Sequence, residues 1–251
     1  MRASEGGGRW LLIGNSRWHW ALREEGPAGA APRFLHTSPG DVPAGGPLRS
    51  WAAVGPVPLE REPWLRGVPR LLLEQVPLEG LPPWLGVDRA LAGWAAWRRQ
   101  PGPVLVADAG TALSLTLVDG AGRFRGGRLQ PGVALQLRAL AAGTAALPSL
   151  PPLAAAGETS GNPWPQATAE AMAEGVIRGL AAALAAAALE ARQLLPGCGL
   201  WLTGGDGERL GRRLAESGTG GEQNWCLAPD LVLEALVALA PAQSSPRSSR
   251  I

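Results

Sequence analysis

Two aspartates stand where a carboxylate could take part in a reaction. Asp108 ends an apolar strand beside the turn Ala109-Gly110-Thr111, and a carboxylate buried there is costly unless it binds a cation or donor groups. Asp88 stands where a helix is predicted to begin, in the segment Leu85-Gly86-Val87-Asp88-Arg89. A helix cap alone accounts for an aspartate at that position, but a capping residue can also present its carboxylate to a ligand.

Glycine turns with a neighbouring hydroxyl residue follow two apolar strands. Gly14-Asn15-Ser16 comes after Leu-Leu-Ile, and Gly110-Thr111-Ala112 comes after Val-Ala-Asp-Ala. A glycine there lets backbone N–H groups approach phosphate oxygens. The repeated pattern suggests a duplicated α/β unit, and two such hairpins, with Gly204-Gly205-Asp206-Gly207, could hold a nucleoside triphosphate.

The composition excludes several kinds of chemistry. The chain has 251 residues, and its 23 basic residues are all arginine. Without lysine there is no Walker-type phosphate lysine, no protein-kinase strand lysine and no Schiff base. The two histidines and two cysteines are scattered, which disfavours a zinc site. A net charge of +2 without a basic stripe gives no indication of nucleic-acid binding.

The order of apolar runs and turns predicts an α/β fold. Strands are predicted at 10–13, 17–22, 33–37, 51–54, 71–76, 103–108, 112–118, 123–129, 200–203 and 225–227. Helices are predicted at 85–99, 133–142, 168–195, from Gly207 to 216, and at 229–240, with a loop or flap at 145–166 and a disordered tail from 243 to 251.

The chain is expected to be cytoplasmic and to have no membrane-spanning segment. Its longest run of low polarity, Gly179–Leu189, is too short to cross a bilayer, and the helix around it is expected to be a buried central helix. Cys198 and Cys226 could pair, but two cysteines in a chain of this size favour reduced, buried thiols. Trp18 and Trp20 are expected to pack in the core or in a dimer interface.

The chain resembles the type III pantothenate kinases, which belong to the actin-like and sugar-kinase fold group. The resemblance covers nearly the whole chain in order. It rests on Gly14-Asn15-Ser16, Gly86-Val87-Asp88-Arg89, Asp108-Ala-Gly110-Thr111-Ala112, Gly126-Gly127 with Pro131-Gly132, Thr144-Ala145 with Leu147-Pro148, Thr168 followed by Ala171 and Gly175, and Thr203-Gly204-Gly205-Asp206.

The resemblance implies two ribonuclease-H-like α/β halves of the acetate and sugar kinase/Hsp70/actin type, with the site in the cleft between them. The halves would be residues 1–102 and 103–240, followed by a tail at 241–251. The implied reaction is the ATP-dependent phosphorylation of pantothenate to 4′-phosphopantothenate, the first step of coenzyme A biosynthesis. The enzyme would be a homodimer.

The resemblance also implies residue roles. Asp88 would be the general base on the pantothenate hydroxyl, and Asp108 would bind a monovalent cation, K⁺ or NH₄⁺, while Mg²⁺ accompanies ATP. The residues implied to bind substrate are Gly86, Val87, Asp88, Arg89 and Thr168. Those implied to bind ATP are Leu12, Ile13, Gly14, Asn15, Ser16, Arg17, Trp18, His19, Gly110 and Thr111.

One position departs from the family pattern. The family has an aspartate two residues before the glycine of the first hairpin, and this chain has Leu12, which aligns with Asp108 in the repeat. Asp206 and Asp119 are the other acids available to approach Mg²⁺. His19 could face the phosphates or be a hydrogen-bonded structural residue.

Two rival functions stay open at this point. The loss of the aspartate allows a nucleotide-binding regulatory protein without efficient turnover. A sugar or acetate kinase of the same fold would share the hairpins, but it would have no reason to carry the Gly-x-Asp-Arg segment.

Overall fold

The structure is a computed structural model that describes residues 7–25, 31–54, 57, 63–151, 162–216 and 225–240. The chain forms two compact units. The first contains the described residues within Met1–Pro77, Leu81–Leu91 and Leu231–Ile251, and the second those within Leu78–Gly80 and Ala92–Asp230. The predicted tail lies outside the described residues, as do residues 152–161 of the predicted loop.

The first unit is built on a four-stranded sheet. Its strands are β1 (Gly8–Ile13), β2 (Trp18–Arg23), β3 (Arg33–Thr37) and β4 (Leu48–Ala53), in the spatial order β3-β2-β1-β4. β1 is antiparallel to β2 and parallel to β4. One face of the sheet buries a cluster that includes Trp18, Trp20 and Trp51, so the predicted core role of Trp18 and Trp20 is confirmed.

The second unit is built on a five-stranded sheet. Its strands are β5 (Val104–Ala109), β6 (Ala112–Val118), β7 (Phe124–Pro131), β8 (Gly199–Thr203) and β9 (Trp225–Leu227), in the order β7-β6-β5-β8-β9. β5 is antiparallel to β6 and parallel to β8. Both sheets therefore begin with an antiparallel meander and place a parallel strand beside its first strand. The shared strand–turn–strand start is the part that the sequence repeat predicts.

Five α-helices accompany the sheets in the part of the chain that the structure describes. They are α1 (Val87–Arg99), α2 (Val133–Gly143), α3 (Thr168–Leu194), α4 (Gly207–Glu216) and α5 (Leu231–Leu239). The boundary between the units falls inside α1. Apart from shifts of a few residues at the ends, these helices are the predicted ones.

Helix α3 forms the centre of the second unit's core. Its apolar face, including Ile177, Leu180 and Leu184, packs with residues of β5, β6 and β8 in one buried cluster. The whole helix has 27 residues, and its most apolar window has a mean hydropathy of 1.5, so by length and composition it could cross a membrane. The run Gly179–Leu189 is only part of this longer helix, and the prediction of a buried central helix is confirmed.

Two other predictions need correction. Residues 71–76 do not form a strand but contain a short 3₁₀ helix, Leu73–Gln75. Its backbone bonds locally, and the Gln75 Oε1 atom accepts a hydrogen bond from the Leu72 N–H at 2.7 Å. Cys226 is exposed because β9 is the edge strand, while Cys198 is buried, and both are free thiols.

Candidate active site

Asp88 lies in the first turn of α1, and the space for its carboxylate depends on Gly86. A Cβ atom at position 86 would lie 2.4 Å from the Asp88 Oδ1 atom, so only glycine leaves room for this carboxylate position. The Oδ1 atom is buried and has no hydrogen-bond partner. Such an oxygen keeps its lone pairs available for a ligand hydroxyl, although leaving it unbonded is costly.

Burial raises the pKa of Asp88 above its ordinary value of 3.8. The backbone N–H of Arg89, the Arg89 guanidinium and the backbone N–H of Asp88 oppose this shift but do not cancel it. Burial also lowers the pKa of Arg89, while Asp88 raises it. A carboxylate with a raised pKa is a stronger proton acceptor than an exposed one, which is a property that general bases need.

The predicted phosphate hairpin is the β1–β2 connection in the same unit. The Gly14 N–H donates a hydrogen bond to the Arg17 carbonyl at 3.0 Å, which closes the turn and leaves Asn15 and Ser16 exposed at its tip. Leu12 is 6% exposed, so its apolar side chain is buried. The polar groups available to a ligand are therefore those at the tip, not the side chain that replaces the family aspartate.

Val54 connects these two predicted segments of the first unit. Its N–H donates a hydrogen bond to the Ile13 carbonyl at 2.9 Å, at the end of β1. Its Cγ1 atom lies 3.9 Å from the place that a Cβ at Gly86 would occupy. The hairpin and the Gly86–Arg89 segment thus meet at the carboxyl ends of β1 and β4, the edge of an open α/β sheet where ligands usually bind.

His19 is hydrogen-bonded, as the interpretation of it as a structural histidine requires. Its Nδ1 atom lies 2.8 Å from the Nδ1 atom of His36 on β3, and the two rings meet edge to face with centroids 5.0 Å apart. The partner, His36, is not among the residues that the sequence motifs predicted. Pairing β2 with β3 in register would have placed His19 opposite His36, so strand alternation carried the signal.

Asp108 is the predicted cation ligand, and the second unit surrounds it with backbone. A Cβ at Gly204, whose φ is +81°, would lie 2.4 Å from the Asp108 Oδ1 atom and 2.7 Å from the Ala109 carbonyl oxygen. The Ala109 carbonyl also accepts a hydrogen bond from the Asp206 N–H at 2.9 Å. The two glycine-rich segments of this unit therefore meet at the end of β5.

The turn after Asp108 is fixed from its other side by the segment that leads into α2. The Gly132 N–H donates a hydrogen bond to the Thr111 carbonyl at 3.0 Å, and a Cβ at Gly132 would lie 2.2 Å from the Gly110 carbonyl oxygen. Gly110 and Thr111 are half-buried, whereas Thr168 is exposed at the first residue of α3. The structure thus brings Asp108, Gly110 and Thr111 together, and Thr168 stands at a helix start elsewhere in this unit.

The two other acids considered for Mg²⁺ are engaged in local contacts. The Asp119 carboxylate accepts hydrogen bonds from the Ala121 and Arg123 N–H groups and from Arg125. Burial alone would raise the pKa of Asp119, but these donors hold it below its usual value. The Asp206 Oδ1 atom accepts a hydrogen bond from Arg209 at 2.7 Å, so neither acid is a preformed ligand.

The fit of cations to this chain follows from the donor set. Among the described residues there is no group of three or more His, Cys, Asp or Glu side chains that could hold a metal, so an all-protein Mg²⁺ cage does not fit. Mg²⁺ bound largely by phosphates and water does fit, because this ion usually keeps such ligands. A monovalent cation fits at Asp108, where a carboxylate and the Ala109 carbonyl crowd Gly204.

Comparison with solved structures defines the class of protein. The structure is similar to that of a Baf family transcriptional activator from Campylobacter jejuni, with a TM-score of 0.59 and 17% identity over 92% of this chain and 96% of that one. It is also similar to the ethanolamine utilization protein EutJ from Carboxydothermus hydrogenoformans, with a TM-score of 0.52 and 12% identity over 96% and 92%. These likenesses show the fold alone. With its two matching sheets and glycine turns, the chain is an α/β protein of the acetate and sugar kinase/Hsp70/actin type.

Sequence comparison gives the family within that class. A profile described as type III pantothenate kinase matches residues 80–189. The type III pantothenate kinase of Synechococcus elongatus is 39% identical over 221 residues, which cover 82% of this chain and 87% of that one. That of Thermosynechococcus vestitus is 45% identical over 149 residues, 56% of each chain. The chain belongs to the type III pantothenate kinase family and is a kinase, as the sequence motifs predicted.

Proposed function

We propose that this chain transfers the γ-phosphoryl group of ATP to pantothenate, the first step of coenzyme A biosynthesis, with Asp88 as the general base. The observation that carries the residue assignment is the buried Asp88 Oδ1 atom, which lacks a hydrogen-bond partner and occupies space that only glycine at position 86 leaves open. A hydroxyl group of the substrate is the partner that this atom lacks.

The chemistry requires a proton acceptor at that place. The primary alcohol of pantothenate is a poor nucleophile, and as its oxygen bonds to the γ-phosphorus its proton passes to Asp88 Oδ1. The bond from the γ-phosphorus to the bridging oxygen breaks, and ADP leaves. A positioned base contributes about 10² to 10⁴ in rate, and alignment of the two reactants contributes most of the remainder.

The substrate and nucleotide are assigned to the predicted segments. Pantothenate is assigned to Gly86, Val87, Asp88 and Arg89 of the first unit and to Thr168 of the second. The nucleotide phosphates lie against the hairpin formed by Leu12, Ile13, Gly14, Asn15, Ser16, Arg17, Trp18 and His19, and ATP also contacts Gly110 and Thr111. Because Leu12 and Trp18 are buried, the hairpin contributes its backbone N–H groups and exposed tip.

The cations have separate roles in this proposal. Asp108, with the Ala109 carbonyl beside it, holds K⁺ or NH₄⁺, and Mg²⁺ enters bound to ATP. Each cation offsets phosphate charge, a task for which this chain has no lysine. The protein acts as a homodimer in the cytoplasm, and the burial of α3 in the second unit's core supports a location away from membranes.

Replacing the base tests the proposal directly. The Asp88→Asn variant keeps the shape of the side chain but cannot accept a proton, so turnover should fall at least about a hundredfold with ATP binding nearly intact. The assay is ADP release with ATP, Mg²⁺ and KCl, with and without pantothenate, repeated with NaCl in place of KCl.

Near-normal turnover in this variant would rule out Asp88 as the base. Tight ATP binding by the wild-type protein without any pantothenate-dependent ADP release would instead favour the nucleotide-binding regulator. Release that depends on pantothenate but is equal in KCl and NaCl would remove the cation role of Asp108 and leave the kinase assignment in place.

A further inference from the structure

The two hairpins distribute their polar groups differently. Asp108 is the last but one residue of β5 and lies opposite Ser114 on β6. Leu12 is the last but one residue of β1 and lies opposite His19 on β2. Directly opposed residues of antiparallel strands place their side chains on the same face of the sheet. The face that carries a carboxylate in the second hairpin therefore carries an imidazole in the first, on the neighbouring strand.

The His19 ring is held close to the tip of its hairpin. A Cβ at Gly14 would lie 3.1 Å from the His19 Nε2 atom and 3.3 Å from its Cδ2 atom, so this edge of the ring lies against the glycine. The opposite edge carries Nδ1, which is 2.8 Å from the Nδ1 atom of His36. One nitrogen is thus used to fix the ring, and the other is the one beside the Gly14 turn.

The surroundings keep the His19 ring neutral and place the positive charge of Arg17 at the same turn. Burial, together with the nearby His36 and Arg17, lowers the pKa of His19 from 6.5 to about 4. At neutral pH the ring therefore carries one proton, on one of its two nitrogens. If His36 donates from its Nδ1–H, that proton lies on Nε2 of His19. The exposed Arg17 adds positive charge at the same turn, which favours an anionic ligand.

We propose that His19, oriented by His36, donates its Nε2–H to a phosphate oxygen of the nucleoside triphosphate bound at the Gly14 turn. This contact takes the place of the one that a carboxylate at position 12 would organise through a cation. The proposal rests on the proposed assignment of this hairpin to the nucleotide phosphates. It gives the His19–His36 pair a positioning role beyond packing.

The first test follows the nitrogen atoms of the wild-type protein. The chain has only two histidines, so imidazole ¹⁵N resonances of a histidine-labelled sample are assigned with one variant of each. We expect His19 in its Nε2–H form, and a shift of that resonance on addition of Mg²⁺ with the non-hydrolysable ATP analogue AMP-PNP but not with AMP. An Nδ1–H form, or an Nε2 resonance that AMP-PNP leaves unchanged, would overturn the proposal.

The same titration of a uniformly ¹⁵N-labelled sample, followed at the amide resonances of Asn15 and Ser16, separates phosphate binding by the hairpin from the role of His19. If AMP-PNP shifts these amides and leaves His19 Nε2 unchanged, the hairpin binds phosphate without the histidine. If it shifts neither, the assignment of the hairpin itself fails, and the proposed role of His19 fails with it.

The second test uses matched variants of the partner residue. His36→Phe keeps a flat ring but cannot donate to His19, whereas His36→Gln retains a donor. We expect His36→Phe and His19→Phe to raise the KM for ATP and the Kd for AMP-PNP about tenfold, with the KM for pantothenate unchanged. His36→Gln should stay near the wild type. Equal effects of Phe and Gln at position 36, or equal changes in both KM values, would show a merely structural role.

Discussion

At the scale of single residues, the candidate active site depends on Gly86 having no side chain. Gly86 has no Cβ, and that vacancy holds the Asp88 Oδ1 atom, which accepts no hydrogen bond. Most of a domain's buried polar atoms are satisfied because each unsatisfied one destabilises the fold. A buried oxygen without a hydrogen-bond partner, beside a glycine whose missing Cβ leaves it room, is therefore more informative about function than either residue alone.

Adding one methyl group at position 86 should lower the activity of the site without unfolding the protein. In Gly86→Ala the Cβ would force the Asp88 carboxylate to move, and a displacement of about 1 Å can cost about a hundredfold in turnover. The measurement is pantothenate-dependent ADP release together with the thermal midpoint. Gly179→Ala is the control, because nothing lies within 4 Å of its Cβ and alanine stabilises a helix interior by about 0.5 to 1 kcal/mol. Full activity of Gly86→Ala would show that Asp88 does not need this position.

The pKa of Asp88 also makes a prediction about stability. Because burial raises the folded-state pKa above 3.8, ionisation of this group favours the unfolded chain as pH rises from 3.8 through the folded-state value. Asp88→Asn should therefore unfold at a higher urea concentration than the wild type at pH 7, and the difference should narrow as the pH falls toward 3.8. A variant that is less stable than the wild type at pH 7 would mean that the folded protein favours the ionised carboxylate.

At the scale of elements, the sequence predicted most strands and helices but not the contacts between distant turns. Apolar alternation predicted β1, β2, β5 and β6, and the repeated glycine turn predicted that the two sheets share a plan. The strand prediction for residues 71–76 was wrong because an apolar run does not reveal that the Gln75 side chain accepts a hydrogen bond from the Leu72 N–H. The position of Gly204 against Asp108 joins residues almost a hundred positions apart, which local patterns do not encode.

The Gly204 contact can be separated from ordinary backbone strain. Gly204 and Gly197 have φ values of +81° and +80°, but only a Cβ at Gly204 would meet other atoms, those of Asp108 and Ala109. Both alanine variants should lose about 1 kcal/mol of stability through the left-handed backbone. Gly204→Ala alone should raise the K⁺ concentration for half-maximal activity, by roughly tenfold since a displaced ligand weakens its ion by about that factor. Equal K⁺ concentrations for half-maximal activity in the two variants would show that Asp108 does not bind the cation.

At the scale of the whole molecule, the end of the chain completes the unit in which the chain begins. α5 belongs to the first unit and packs on β1, β2 and β4. Leu231 and Leu236 on this helix are fully buried. The first sheet therefore depends for one of its layers on residues that follow the entire second unit in the sequence.

Truncation should reveal this dependence. A chain that ends at Asp230 loses α5 and should expose the apolar face of the first sheet, so the first unit should become sensitive to proteolysis while the second stays protected. A chain that ends at Ala240 keeps the helix and serves as the control. Limited proteolysis with mass spectrometry measures both units, and equal protection of the first unit in the two chains would show that α5 is dispensable.

The place of α5 also sets an order of events on the ribosome. Residues 92–230 supply nearly all of the second unit and leave the exit tunnel before Leu231. One apolar face of the nascent N-terminal sheet therefore stays uncovered until residues 92–230 have been synthesised. A growing chain with an exposed apolar face is a substrate for chaperones. Slow translation just before codon 231 would lengthen the time for which the first sheet exposes this face.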